Sequence, residues 1–359
     1  MSILPLHGHA ALRARLTDML ERGTLPHSIL LHGPRGVGKQ RLALWLGAAM
    51  LCTGDDREKP CGRCQHCRYT GEVAHPDLQW FFPRPRLKDS DADADDVRED
   101  YRDAIADRVK AGGLYAPATG SEGIFVATVR AIVQAASMSP ALARRKVFVI
   151  GDAERMVPQE GSEQAANALL KLLEEPPSDT TLILTTSEPG SLLPTIRSRV
   201  VAFRVGTMPE AEMRGFLADP AVRTALAKEG APSSLDDQLR AASGAPGTLF
   251  GGAGWEAALA NARRLLDLAT RGDRAERLRV AFGQGASRAR GSFSDSLEAL
   301  TLLLHERVRT AAGRQDDGRA LAATRAVDAV ERAKELARGN VSPQLVTAAL
   351  LHDLAGLEG

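Results

Sequence analysis

The sequence predicts an α/β domain built on a parallel sheet and followed by an all-helical remainder. Three observations lead there. From residue 26 to residue 203 short apolar runs alternate with helical patterns, the signature of strands joined by crossover helices. A glycine-rich loop, Gly33-Pro34-Arg35-Gly36-Val37-Gly38-Lys39, follows the first apolar run. After Phe203 the strand signal disappears. The 359 residues suffice for two or three cores. A hydrophobic content of 44% and a charged content of 25% exclude a disordered or fibrous chain, and the 4% of aromatics favours aliphatic helix seams over a β-sandwich.

Residues 28–32 (SILLH) read as the first strand and residues 39–51 as the helix after the loop. A second strand is expected at 78–82, after Pro76. Val129, Ile132, Val133 and Ala136 recur at the spacing of one helix face, so residues 127–136 are expected to be helical. Residues 146–150 (KVFVI) read as a buried strand, with Arg144, Arg145 and Lys146 forming a basic, solvated turn at its start. A helix over 162–173 must stop at Pro176 and Pro177, because proline lacks the backbone donor and restricts the residue before it. Two further strands are expected at 181–185 and 200–203.

The alternation is interrupted over 84–123 by Asp89, Asp91, Asp93, Asp95, Asp96, Asp100, Asp103 and Asp107, a stretch expected to be a solvated insertion or a partly helical loop. Beyond 203, turns at 230–232, 243–247 and 251–254 divide the helices into a short domain over 204–250 and a longer one over 251–359. In the latter Leu297, Leu300 and Leu304 share one face, and Ser342-Pro343 marks a helix start. The formal net charge of +1 carries no bulk signal for nucleic acid or an anionic membrane. No apolar run approaches the roughly 20 residues of a membrane helix, and no secretory signal is read, so the chain is expected in the cytoplasm.

Gly33, Gly36, Gly38 and Lys39 match a phosphate-cradling loop through its lysine, in the strand-to-helix context such a loop needs. Glycines let backbone N–H groups converge on phosphate oxygens, and the lysine reaches the outer phosphates. The next position calls for a Ser or Thr hydroxyl on magnesium, and this chain has Gln40. An ATPase also needs carboxylates at the end of a later strand. Here residues 147–150 run into Gly151-Asp152-Ala153-Glu154. If Gly151 holds the first acidic position, the metal carboxylate is missing; if Asp152 does, Ala153 stands where the activator belongs. Either register predicts a site that has lost efficient hydrolysis, with ATP and magnesium bound weakly or not at all.

All four cysteines lie within sixteen residues: Cys52, Cys61, Cys64 and Cys67. Two successive C-x-x-C steps suit a closed tetrahedral set of thiolates on a structural zinc ion; reduced thiols, a disulfide pair and an iron–sulfur cluster are the competing readings. His66, between two of them, is read as a bystander.

The phosphate loop, the cysteine module directly after its helix, and the segment Asn167-Ala168-Leu169-Leu170-Lys171-Leu172-Leu173-Glu174-Glu175-Pro176-Pro177 leading to Arg197-Ser198-Arg199 together resemble the bacterial DNA polymerase III clamp loader family. The resemblance implies an AAA+ P-loop domain over 1–203 with a zinc module at 52–67, a helical lid over 204–250 and a helical collar over 251–359 that mediates oligomerisation. It further implies a ring with motor (gamma/tau) subunits and a delta subunit that opens a sliding clamp and places it on primed DNA. Such a chain belongs to a DNA polymerase (nucleotidyltransferase) holoenzyme but holds no polymerase site of its own. The family's Ser-Arg-Cys motif donates an arginine finger in trans, and Ser198-Arg199-Val200 stands in its place, so Arg199 is the expected finger. At 243–248 the lid turn of motor subunits carries a phosphate-sensing arginine, and Thr248 stands here. These departures imply the family's delta-prime stator class rather than its ATP-hydrolysing motor.

Overall fold

The computed structural model describes residues 2–54, 59–87, 92–114, 122–156, 162–250, 252–283, 290–338 and 341–355. The chain divides into two compact units, Met1–Lys228 and Glu229–Gly359.

The first unit is built on five parallel strands: β1 (Ser28–His32), β2 (Leu78–Phe81), β3 (Lys146–Ile150), β4 (Thr180–Thr186) and β5 (Val201–Arg204), in the order β2-β3-β4-β1-β5. Leu30 of β1 lies opposite Leu184 and Ala202, and Val149 of β3 opposite Trp80 and Ile183. Every residue of β3 and β4 is buried, which is why they read as continuous runs rather than as an alternation. The helices of this unit are α1 (Ala10–Glu21), α2 (Lys39–Leu51), α3 (Gln65–Gly71), α4 (Ala94–Lys110), α5 (Val126–Ser137), α6 (Ser162–Glu174), α7 (Pro194–Arg197), α8 (Glu210–Ala218) and α9 (Pro220–Lys228). Helix α2 packs on β1, β2, β3 and β4, and its Leu42 and Leu46 are fully buried. The chain leaves β1 on one side for β2 and returns on its other side as β5, so the end of β1 opens the crevice in which parallel sheets hold ligands.

The aspartate-rich stretch is partly helical, as expected, with Ala94–Lys110 forming α4, while Asp89 and Asp91 lie outside the described residues. Asp93 caps α4 by accepting from the N–H groups of Asp95 and Asp96, and Asp96 returns a bond to the Asp93 N–H, a reciprocal capping box. Val97, Tyr101 and Ala104, one turn apart, are buried, and the Tyr101 hydroxyl donates to the Phe82 carbonyl at 2.6 Å. Arg84 grips Asp100 through Nε and Nη2 at 2.9 and 2.7 Å. Lys146 is not part of a solvated turn. It is buried, and Nζ donates to the carbonyls of Ala136 (2.7 Å) and Met138 at the end of α5, where a cation complements the helix dipole. Arg144 and Arg145 are exposed, as expected. The turn ahead of them is held by Asp77, whose carboxylate accepts from the N–H groups of Ala141, Leu142 and Ala143 at 2.6–2.8 Å. Burial opposes the Asp77 charge, but these three donors hold its carboxyl below the usual range.

The second unit comprises α10 (Leu235–Ala242), α11 (Gly252–Arg271), α12 (Arg274–Phe282), α13 (Arg290–Gly313), α14 (Asp317–Arg338) and α15 (Pro343–Ala355). Leu297, Leu300 and Leu304 are core residues, and Pro343 opens α15 as predicted. Residues 252–254, read as part of a turn, instead begin α11, and Gly251 lies outside the described residues. A buried ion pair, Lys334 Nζ to Glu298 at 2.8 Å, joins α14 to α13, with Glu331 adding a second oxygen at 2.9 Å. Among the described residues no helix is long and apolar enough to cross a membrane.

Candidate nucleotide and metal sites

The glycine loop joins β1 to α2. Gly38, immediately ahead of the helix, has φ +93°, a conformation that side chains resist. It delivers Lys39 at the first helical position, where Nζ donates to the carbonyls of Gly33 and Pro34 and to Ser187 Oγ, each at 2.9 Å. An ammonium has three donors, and three protein oxygens meet this one.

Gln40 is also buried. Its Oε1 accepts from Trp80 Nε1 at 2.9 Å, and its Nε2 donates to Asp152 Oδ2 at 3.0 Å. The amide lies flat against Gly151: a Cβ built there would come within 2.4 Å of Gln40 Cδ and Oε1. The glutamine and the glycine are therefore matched. The Gln40 amide fills the room that a side chain at 151 would need. Asp152 turns away with φ +49°, its N–H donating to Thr185 Oγ1 at 3.1 Å, and its carboxylate serves Gln40.

Residue chemistry alone did not single out Glu154, Ser187 or Trp80. Their signal is spatial, since they come from three segments distant in sequence. Glu154 is half-buried with its carboxylate tip covered; Oε1 accepts from the Ser187 N–H at 3.0 Å, and Oε2 has no hydrogen-bond partner among the described residues. Burial, reinforced by the charges of Asp152 and Glu188, pushes its carboxyl up to about 7.

Arg199 lies after α7, ahead of β5, with its side chain partly exposed. Nη1 donates to the Thr195 carbonyl at 2.8 Å and to Ser198 Oγ at 3.3 Å, and Nη2 pairs with Glu174. None of the hydrogen bonds or ion pairs described for it reaches Lys39, Gln40 or Asp152. Thr248, in the second unit, is buried and bonds its own turn through the Ala245 carbonyl at 2.8 Å.

The four cysteine sulfurs lie within 4.8 Å of one another, with Cys52–Cys64 at 3.9 Å and Cys61–Cys67 at 4.0 Å. An ion bound tetrahedrally at about 2.3 Å from each sulfur separates neighbouring sulfurs by about 3.8 Å, so the spacing suits zinc and is far beyond a disulfide bond. Backbone N–H groups of Gly54 and Cys61 point at Cys52 Sγ, that of Cys64 at Cys61 Sγ, and that of Cys67 at Cys64 Sγ, all at 3.3–3.4 Å. Such donors favour thiolates. At Cys64 burial works against the charge, yet amides from Cys67 and Thr53 outweigh it and pull the thiol to about 5; at Cys67 burial wins and pushes the thiol up. His66 is outside the set, with Nδ1 bonded to His75 Nε2 at 2.8 Å. The donor set fits a closed zinc site, whose role would be to cross-link the segment between α2 and α3.

The family model described as "DNA polymerase III, delta subunit" matches residues 8–209. The chain belongs to this family. Relatives of this family member include the DNA polymerase III subunit delta′ of Pseudomonas aeruginosa, 34% identical over 175 residues, covering 49% of this chain and 42% of the relative. The delta′ subunit of Escherichia coli is 27% identical over 246 residues, covering 68% and 60%. The gamma/tau subunit of Mycobacterium tuberculosis is 29% identical over 239 residues, covering 67% and 34%. The chain thus spans less than two thirds of the length of each of these relatives. Among solved structures, a gamma subunit-related protein of Thermotoga maritima is 18% identical and covers 96% of this chain and 99% of its own, at a TM-score of 0.34.

Two outcomes are expected. Cys64→Ser will lower bound zinc, measured by elemental analysis of the purified chain, well below one ion per chain and reduce the melting temperature; unchanged values of both contradict the assignment. For Glu154, a folded-state value near 7 stands above the ordinary 4.5, so the folded state holds the proton more tightly. Its stabilising share is full below pH 4.5 and is lost as pH rises through about 7, on the order of 3 kcal/mol in all. Glu154→Gln will therefore gain stability relative to the parent between pH 5 and pH 8 in denaturant titrations; parallel pH profiles contradict this.

Proposed function

We propose that the chain is the delta-prime stator of a DNA polymerase III clamp loader. It hydrolyses little or no ATP itself, helps load a sliding clamp onto primed DNA during replication, and supplies Arg199 to the ATP site of a neighbouring motor subunit. The observation that carries the reading is Gln40. Its amide stands at the loop position that calls for a magnesium-binding hydroxyl, bonded on one side to Trp80 and on the other to Asp152 and packed against Gly151, which supports a loop without the usual metal ligands. Without that metal the phosphate charge would be met only by the helix N-terminus and Lys39, which alone give at most weak nucleotide binding.

Arg199 complements this loss. Its guanidinium is partly exposed to solvent and is suited to neutralise charge that develops on a phosphoryl group presented by another subunit. The partners on this reading are gamma/tau motor subunits, a delta subunit, the sliding clamp and primed DNA, and the place of work is the cytoplasm. Residues 204–250 serve as the lid and 251–359 as the collar that joins the ring. The zinc module supplies structure rather than chemistry. Thr248, where a motor carries its phosphate-sensing arginine, removes a further link between the chain and a nucleotide of its own.

The gamma/tau relatives favour a second reading, an ATP-hydrolysing motor. That reading requires a magnesium-dependent, saturable rate from the chain alone, abolished by Lys39→Ala. The stator reading expects no such rate. In a complex reconstituted from this chain, a motor subunit and a delta subunit, it expects Arg199→Ala to leave assembly intact and lower DNA- and clamp-stimulated hydrolysis by about tenfold or more. Unchanged hydrolysis with assembly preserved contradicts the donated finger.

A further inference from the structure

The segment 167–177 carries much of the family resemblance, and its two glutamates have no task in the account so far. Glu174 is the last residue of α6, just ahead of Pro176 and Pro177. A helix C-terminus is the negative end of the dipole and favours cations, so a carboxylate there works against the helix. Its partner lies elsewhere in the chain: the carboxylate meets Arg199 Nη2. Both side chains are substantially solvent-exposed, at 46% for Glu174 and 30% for Arg199, and an ion pair so exposed adds little to fold stability. What it does limit is the direction of a long and otherwise flexible side chain.

The remaining contacts make the limit specific. Nη1 is used by the Thr195 carbonyl and Ser198 Oγ, both on the chain segment of Arg199 itself, while Glu174 holds Nη2 from a different element. A guanidinium has five N–H donors in a fixed plane. The three bonds described engage Nη1 twice and Nη2 once, which leaves Nε–H and one Nη2–H without a partner among the described residues and open to an outside acceptor. We propose that Glu174 is a positioning residue for Arg199, fixing the plane of the guanidinium so that these two donors meet the phosphate oxygens of a nucleotide held by the adjacent subunit. Pro176 and Pro177 end α6 directly after the glutamates, so the carboxylate is presented from a set height rather than from a fraying turn. This inference rests on the reading of Arg199 as a finger acting in trans.

The test uses the complex of the full chain with motor and delta subunits, primed DNA and clamp, comparing Glu174→Ala, Glu174→Gln and Arg199→Ala. Glu174→Ala is expected to lower kcat for ATP roughly three- to tenfold, the scale of a misaligned catalytic group, with KM and the melting temperature of the isolated chain unchanged. Glu174→Gln, which keeps an acceptor oxygen at the same reach, is expected to retain most of the rate. If Arg199→Ala collapses hydrolysis while Glu174→Ala leaves kcat as it was or raises it, the positioning role is overturned and the finger stands. A lower melting temperature without a change in kcat likewise overturns it, in favour of a stabilising surface pair. Should Arg199→Ala itself have no effect, both readings fall.

Discussion

The fit of Gln40 against Gly151 is the constraint from which the account of the first unit follows. A phosphate loop is ordinarily completed by a hydroxyl and a carboxylate that share a metal ion. Here the position after the lysine carries Gln40, whose amide packs against Gly151 so closely that no side chain fits there. The exchange is self-consistent in hydrogen-bonding terms, because the buried amide finds both a donor in Trp80 and an acceptor in Asp152, and a buried amide without partners is costly. Reinstating only one of the missing groups would therefore leave the other polar atoms of the cluster unsatisfied.

The same packing makes the loop a structural joint. Lys39 ties the loop carbonyls of Gly33 and Pro34 to Ser187 just beyond β4, and Glu154 accepts from the Ser187 backbone below. Three segments, the loop after β1, the turn after β3 and the end of β4, are thus bridged by side chains. Arg199, beyond α7, is directed to solvent and held from the side by the end of α6, with donors left over.

Much of this was legible in the residues, and the parts that were not share a cause. The buried strands were read nearly to the residue, because a fully covered parallel sheet leaves uninterrupted apolar runs. The cysteine site was legible from spacing, since two C-x-x-C steps already bring sulfurs into reach. Helix α4 was obscured by its aspartates: Val97, Tyr101 and Ala104 form a narrow apolar stripe that composition hides, and only the docked helix shows that it is enough. Lys146 was misjudged as solvated because its acceptors, the last carbonyls of α5, are created by the fold itself. The departures of the phosphate loop were visible one at a time, at 40 and over 151–153 with two registers open, but the packing of Gln40 against Gly151 exists only in three dimensions. The part assigned to Arg199 came from resemblance; spacing alone does not separate it from any surface arginine.

The central claim is that the magnesium position of the loop is filled by the chain's own side chain. It is tested most directly by calorimetric titration of ATP into the isolated protein with magnesium and with a chelator in its place. The account predicts the same weak or undetectable affinity in both conditions, because there is no protein ligand for the ion to join. An affinity that rises tenfold or more on adding magnesium, equivalent to about 1.4 kcal/mol, would contradict it and show that Gln40 yields its place to the metal.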